Sequence, residues 1–159
     1  KAIERKTPLI FFAASGGQRM YEAAIALQMM TLTTAKIMEF KQTALPYISF
    51  MVDPCFGGVT ASFAALGDFC FSEPDSKVGF AGARIIKAQT PGEIIDDSFQ
   101  SSQFLLKHGQ CDAIFERKDL NEKIGNLLSI LLKKNELETI SDAEPEQDRE
   151  FIKRTAASS

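Results

Sequence analysis

The chain has 159 residues, of which 45% are hydrophobic and 25% are charged, as is typical of one globular domain with a buried core. Its 18 basic and 21 acidic residues leave a formal net charge of −3, so no basic excess attracts nucleic acid or an anionic membrane. The uncharged runs are too short to cross a bilayer, which takes about 20 apolar residues. Three cysteines without a CxxC pair argue against a disulfide framework or zinc ribbon and indicate a reducing compartment.

The first half of the chain alternates short continuous apolar runs with longer runs at helical spacing. The continuous runs fit strands buried on both faces, whereas apolar residues three and four apart fit helices. The predicted elements are a strand over 8–14, a helix over 20–43, a second buried strand over 47–52 and a shorter helix over 59–66. The order strand, helix, strand, helix is typical of a parallel sheet.

The second half of the chain contains shorter predicted elements. A turn at Pro74-Asp75 separates two short strands, and Ser101 and Gly109 are typical start and stop signals of a helix. The predicted elements are strands within 69–74 and 77–82, a polar loop over 87–97, a helix over 101–109, a strand over 112–115 and an amphipathic helix from Asp119. Residues 136–159 are acidic and polar and predict a disordered tail, so the folded domain is expected over 1–135.

Two Gly-Gly pairs, each followed by a predicted helix, are the candidate site. In a parallel sheet with right-handed crossovers, both turns lie at the carboxyl ends of neighbouring strands, where such sheets bind ligands. The first N–H groups of a helix are unpaired and suit an oxyanion, and glycine removes the Cβ that would obstruct a substrate. The residues are Gly16, Gly17, Gly57 and Gly58. The alternative is that the glycines only allow a tight turn or close packing of a helix on the sheet. The spacing of the residues does not distinguish these roles from ligand binding.

Nucleotide binding and covalent catalysis are less well supported by the sequence. Neither Gly-Gly pair belongs to a GxxxxGK[ST] or GxGxxG motif. Cys55 precedes a predicted helix start, which would lower the pKa of its thiol. However, the only histidine, His108, lies at a predicted helix end, where a solvated cap is the expected role. Without a base beside them, neither Cys55 nor Ser15 is expected to act as a nucleophile.

Two arginines follow glycine-containing turns and are candidate substrate-binding residues. Arg19 and Arg84 could each bind a phosphate or a carboxylate. The alternative is a structural ion pair with Glu22 or Glu73.

Four collinear segments within residues 8–132 carry a resemblance to a known family. They read SGGQRMYEA, LPYISFMVDPCFGGVTASFAALGD, SEPDSKVGFAGARII and FQSSQFLLKHGQCDAIFER. They resemble the C-terminal catalytic portion of the carboxyltransferase β subunit of multisubunit acetyl-CoA carboxylases from bacteria and plastids. The resemblance implies an α/β, crotonase-like fold, a spiral of ββα units with mainly parallel strands. The family's N-terminal part and zinc ribbon have no counterpart here, so zinc is not expected in this chain.

The resemblance implies the second half-reaction of malonyl-CoA synthesis. Acetyl-CoA loses an α-proton, and its enolate takes the carboxyl group of carboxybiotin, which is carried on a separate protein. The N–H groups that hold the thioester oxyanion are then those of the two Gly-Gly turns. The implied partners are the carboxyltransferase α subunit, in a heterotetramer, the biotin carboxyl carrier protein and acetyl-CoA, with no membrane and no nucleic acid. The implied compartment is the bacterial cytoplasm or the plastid stroma.

Two alternative functions remain. The chain could be an inactive fragment or a degenerate subunit that only binds its partner, and without the α subunit it is expected to be inactive. In addition, GGVTASFAALG superficially resembles the nucleophile helix of Clp-type serine peptidases, with Ser62 as nucleophile. The stretch after this helix, however, has no histidine where such enzymes place one.

Overall fold

Parallel strands form a single sheet in the computed structural model, which describes residues 1–17, 19–91 and 96–132. The strands are β1 (Leu9–Ser15), β2 (Tyr47–Phe56), β3 (Phe69–Ser72), β4 (Val78–Gly79) and β5 (Ala113–Ile114). Their order is β1-β2-β3-β5, and β4 pairs with the carboxyl end of β2. Every pair is parallel, as the sequence predicts, and the β1–β2 register runs from Leu9 opposite Tyr47 to Ser15 opposite Cys55.

Helices connect these strands. They are α1 (Ala2–Arg5), α2 (Ala23–Lys41), α3 (Gly58–Ser62), α4 (Ala83–Gln89), α5 (Ser102–Lys107) and α6 (Leu120–Leu131), with 3-10 turns at Met20–Glu22, Ala64–Leu66 and Arg117–Asp119. The predicted α2, α3, α5 and α6 are confirmed, although α1 and α4 were not predicted. The end of α4 lies in the segment predicted as a polar loop over 87–97, of which residues 92–95 fall outside the described part.

Burial differs between the first two strands. Residues 47–51 of β2 are all buried, as predicted. The prediction that β1 is buried on both faces is wrong, because only Ala13 is buried and the Phe12 side chain is 52% exposed. β1 is the outer strand of the described sheet, and the described elements leave most of its side chains uncovered.

One core cluster lies between the sheet and the helices α3 and α5. All three cysteines are free thiols in this core, which also explains their lack of disulfide spacing. The cluster contains Ala13, Met51, Cys55, Ala64, Cys70, Val78, Leu105 and Cys111.

The chain divides into two units, Lys1–Lys123 and Ile124–Ser159. Of the second unit the structure describes only residues 124–132, most of which belong to α6. The predicted boundary at residue 135 stays a prediction, and the predicted tail over 136–159 lies outside the described residues. Among the described helices, none is both long enough and apolar enough to span a membrane.

We expect Gly67→Ala to lower the free energy of unfolding by about 2–3 kcal/mol because the site has no room for a methyl group. A Cβ on Gly67 would lie 2.6 Å from the Phe69 carbonyl oxygen and 3.0 Å from the Ser49 Cβ. In the control Gly125→Ala, in α6, the new Cβ meets nothing within 4 Å. There helix propensity predicts a gain of about 0.5–1 kcal/mol. Urea denaturation measures both changes, and a Gly67→Ala protein as stable as the wild type would contradict the close contact.

We expect a pH-dependent loss of stability from Tyr47. Burial raises its pKa from 10.0 to about 12, and its hydroxyl donates a 2.8 Å hydrogen bond to the Phe63 carbonyl oxygen. The folded state thus favours the neutral phenol, a stabilisation of about 2–3 kcal/mol that is complete below pH 10 and lost as pH rises towards 12. Near neutral pH, Tyr47→Phe should be about 1 kcal/mol less stable than the wild type. Because the wild type loses more stability towards pH 12 than the substitution costs near neutral pH, denaturation across this range should show the difference closing and then reversing, and a constant difference would refute the assignment.

Candidate functional site

The two Gly-Gly turns lie side by side at the carboxyl ends of β1 and β2. The pair at 16–17 directly follows β1, and the pair at 57–58 directly follows β2. A Cβ built on Gly17 would lie 4.0 Å from the Gly57 Cα and 4.0 Å from the Phe56 carbonyl oxygen. The predicted meeting of both turns at one edge of the sheet is therefore what the β1–β2 pairing produces.

The second turn is fixed by backbone contacts. Gly57 has φ 68° and ψ −138°, a conformation that favours glycine. Its N–H donates to the Phe80 carbonyl oxygen at 2.9 Å and to the Gly79 carbonyl oxygen at 3.2 Å. On the other side of the turn, the Thr60 hydroxyl donates a 2.8 Å hydrogen bond to the Cys55 carbonyl oxygen. These bonds hold the turn between β2 and residues 79–81, which we call the 79–81 strap.

The first turn differs from its prediction. Gly17 has φ 113°, and its N–H donates a 3.1 Å hydrogen bond to the Ser15 hydroxyl. Gly16 is exposed, and a Cβ added there would meet nothing within 4 Å. The helix predicted over 20–43 begins as a 3-10 turn at Met20–Glu22, and α2 itself begins only at Ala23. The first turn therefore presents local backbone amides rather than a helix N-terminus.

The four predicted amides differ in their hydrogen bonds within the described part of the structure. The N–H groups of Gly17 and Gly57 already donate to protein oxygens, as described above. The N–H groups of Gly16 and Gly58 have no hydrogen-bond partner among the described residues. Gly58 is buried, and buried backbone N–H groups are almost always paired. A ligand oxygen between the turns would supply such a partner.

The 79–81 strap was not predicted from the sequence. Its carbonyls take up the Gly57 N–H and thereby decide which amide of the second turn stays free. The only sequence signal is the glycine pattern KVGFAG, which predicts a short strand and a turn but not its partner. A contact between residues so far apart in the chain leaves no local pattern.

Cys55 is not an activated nucleophile. Its side chain is buried in the core, and burial raises the pKa of the thiol despite a contact with the Thr60 hydroxyl at 3.3 Å. The expected lowering of this pKa by a helix start is therefore wrong, because loss of solvent outweighs the effect of a helix of only five residues.

Ser62 and His108 do not form a catalytic pair. The Ser62 hydroxyl is buried and donates to the Gly58 carbonyl oxygen within α3. His108 is the C-cap of α5, as predicted, and its Nδ1 lies 2.8 Å from the Phe104 carbonyl oxygen. Each group thus serves its own helix, which argues against the peptidase alternative.

The arginines are only partly described. Arg19 is exposed beside the first turn and forms no ion pair with the described acidic residues, Glu22 included. Arg84 is the second residue of α4, but its side chain lies outside the described part of the structure. Glu73, the other considered partner, accepts hydrogen bonds from both Nε and Nη2 of Arg117, at 2.7 and 3.1 Å.

A cavity of about 610 Å³ opens beside the second turn, between α3 and α5. Its lining includes Thr60, Phe80 and Leu105, with carboxylates from Asp68 and Asp112. It includes no basic side chain among the residues that the structure describes, so it offers no counter-charge to a phosphate. Within the same residues, no three His, Cys, Asp or Glu side chains are grouped so that they could hold a metal ion.

Comparison with known proteins identifies relatives of this chain. Residues 1–157 match the carboxyl transferase domain family. Subunit β of the acetyl-coenzyme A carboxylase carboxyl transferase of Pelagibacter ubique is 47% identical over 98% of this chain and 50% of its own length. The corresponding subunit of Bartonella tribocorum is 42% identical over 98% of this chain and 51% of its own length. The chain thus spans about half the length of the curated relatives it matches.

A solved structure shares the fold. The transcarboxylase 12S core, crystallised with hydrolysed methylmalonyl-coenzyme A bound, superposes with a TM-score of 0.65. It is 26% identical, over 80% of this chain and 25% of its own. The fold is therefore crotonase-like, with a mainly parallel α/β sheet.

Proposed function

The chain belongs to the carboxyl transferase domain family, and from this premise we propose that it transfers a carboxyl group to acetyl-CoA, giving malonyl-CoA. It does so within the carboxyltransferase β subunit of an acetyl-CoA carboxylase, whose name its curated relatives carry. Its partners are a carboxyltransferase α subunit and a biotin carboxyl carrier protein. The compartment is the bacterial cytoplasm or the plastid stroma.

The observation that carries this proposal is the contact between the two Gly-Gly turns. A Cβ on Gly17 would lie 4.0 Å from the Gly57 Cα, so the two turns are near neighbours at one edge of the sheet. The amides of Gly16 and Gly58 have no partner among the described residues. A thioester oxygen held between these turns would receive two hydrogen bonds from backbone that needs no reorganisation.

The chemistry follows from where charge develops. Removal of an α-proton from acetyl-CoA moves negative charge onto the thioester oxygen, and two amide donors stabilise that enolate more than the neutral ester. Each donor contributes about 3 kcal/mol to such a step. Carboxybiotin, bound from its separate carrier, would supply the carboxyl group and a ureido nitrogen able to accept the proton. No side-chain base from this chain is then required.

Arg19 is proposed to bind an anionic part of the substrates. It is exposed two residues past Gly17 and forms no ion pair with a described carboxylate, so its guanidinium is available to a phosphate or carboxylate. Arg84 follows the 79–81 strap at the start of α4, and we propose the same role for it from its position alone.

The test is malonyl-CoA-dependent carboxylation of free biotin by the complete β subunit assembled with its α subunit. The expected result is carboxylation by the assembly but not by either subunit alone. Assembly without turnover would overturn the proposal in favour of a chain that only binds its partner. If the chain cleaved peptides and Ser62→Ala abolished the cleavage, the peptidase alternative would be supported instead. The hydrogen bond from the Ser62 hydroxyl to the Gly58 carbonyl oxygen argues against that outcome.

A further inference from the structure

Gln100 lies on the outer side of the 79–81 strap. Its side-chain amide donates a 2.9 Å hydrogen bond to the Ala81 carbonyl oxygen. Its backbone carbonyl accepts a 2.9 Å hydrogen bond from the Val78 N–H. The backbone of Gln100 is left-handed, with φ 61°, and turns the chain so that its side chain covers the strap. Gln100 thus bonds both to the strap, at Ala81, and to Val78, the residue before the strap.

Gly79 makes room for this amide. A Cβ on Gly79 would collide with the Gln100 amide and would lie 2.9 Å from the Gln100 Cγ. The backbone of Gly79 shows no positive φ, so its conformation does not itself require glycine. The glycine is therefore needed for the approach of Gln100 rather than for a turn.

The strap in turn holds the second Gly-Gly turn. The Gly57 N–H donates to the carbonyl oxygens of both Phe80 and Gly79, and Gly58 follows with its N–H free of any described partner. The Gly57 N–H lies in the peptide plane that precedes the one carrying the Gly58 N–H. A change in the position of these carbonyls would therefore shift the first plane and, through the backbone angles of Gly57, alter the direction of the Gly58 N–H. Small shifts of this kind matter because hydrogen bonds weaken steeply with angle.

We propose that Gln100 is a positioning residue for carboxyl transfer, which acts through the 79–81 strap to orient the free amide of the second Gly-Gly turn. The identity of the reaction in this proposal rests on the proposed function. The control of the turn's orientation by Gln100 is independent of that function. Gln100 makes no described contact with either Gly-Gly turn. It is therefore expected to change the orientation of the Gly58 N–H rather than to contact the substrate.

The test uses Gln100→Met in the assembled carboxyltransferase. Methionine keeps the length of the side chain and the backbone bond to Val78 but removes the amide donor. Because the enolate depends on donor orientation more than the bound thioester does, we expect kcat to fall by about tenfold while KM for malonyl-CoA changes by less than about twofold. Gly79→Ala displaces the same amide from the other side and is expected to act in the same way. The matched control is Gln103→Met, whose exposed side-chain amide lies 3.5 Å from Asp75 and has no described hydrogen bond to the strap.

Hydrogen exchange of the Gly57 amide gives a second readout that does not depend on turnover. Exchange should be faster in Gln100→Met and Gly79→Ala than in the wild type, and unchanged in Gln103→Met. Wild-type kcat together with wild-type exchange in Gln100→Met would overturn the positioning role. If the wild-type assembly shows no carboxyl transfer but Gly57 exchange still responds to Gln100, the proposed function fails while the control of the turn by Gln100 stands.

Discussion

Gly58→Pro is expected to lower kcat for carboxyl transfer by about 10²–10³-fold, the effect of deleting one oxyanion donor. Gly58 is the first residue of α3, a position where the missing N–H and fixed φ of proline are compatible with a helix. The substitution therefore removes the unpartnered amide and leaves the helix start in place. The measurement is malonyl-CoA-dependent carboxylation of biotin by the assembled subunits.

Gly58→Ala is the matched control for this substitution. It adds a side chain at the same buried site but keeps the N–H group. We therefore expect kcat to stay within about tenfold of the wild-type value, and any loss would reflect a small displacement of the Gly58 N–H. Circular dichroism and co-purification with the α subunit establish that both variants fold and assemble. Equal losses of kcat in the two variants would mean that the amide does not stabilise the enolate, and the oxyanion role would have to be withdrawn.

Phe50→Ala is expected to lower the free energy of unfolding by about 3–5 kcal/mol. Phe50 lies in β2 between two strands, is fully buried and packs against the Phe12 ring with centroids 5.4 Å apart. Truncation removes the buried ring and leaves a cavity, which the surrounding sheet cannot fill without moving its backbone. Urea denaturation of the purified protein measures the change.

Phe80→Ala is the control for burial. The Phe80 side chain is 70% exposed, and its carbonyl bond to Gly57 does not depend on the ring. The expected change in unfolding free energy is within about 0.5 kcal/mol, as for most exposed positions. If Phe80→Ala were as destabilising as Phe50→Ala, burial of the Phe50 ring would not explain the loss of stability in Phe50→Ala.

The elements that the sequence predicts well are those with long, consistent patterns. The prediction of a strand from Tyr47 is confirmed, and α2 lies within its predicted range over 20–43. By contrast, α1 and α4 have four and seven residues, too few turns for helical periodicity to be visible. The prediction that β1 is buried on both faces was wrong for a different reason, because an apolar run does not specify whether another element covers it.

The sequence by itself determined the parallel order of strands and helices, and with it the placement of both Gly-Gly turns at one edge of the sheet. Those features follow from apolar periodicity and from the position of glycines, which are local. Only the tertiary structure decided which amides are free, because the Gly57 N–H is taken up by carbonyls of the 79–81 strap. It also decided that Cys55 is an inert core thiol. Both outcomes depend on contacts between distant parts of the chain, and hydrogen-bond partners and burial are properties of those contacts rather than of any local pattern.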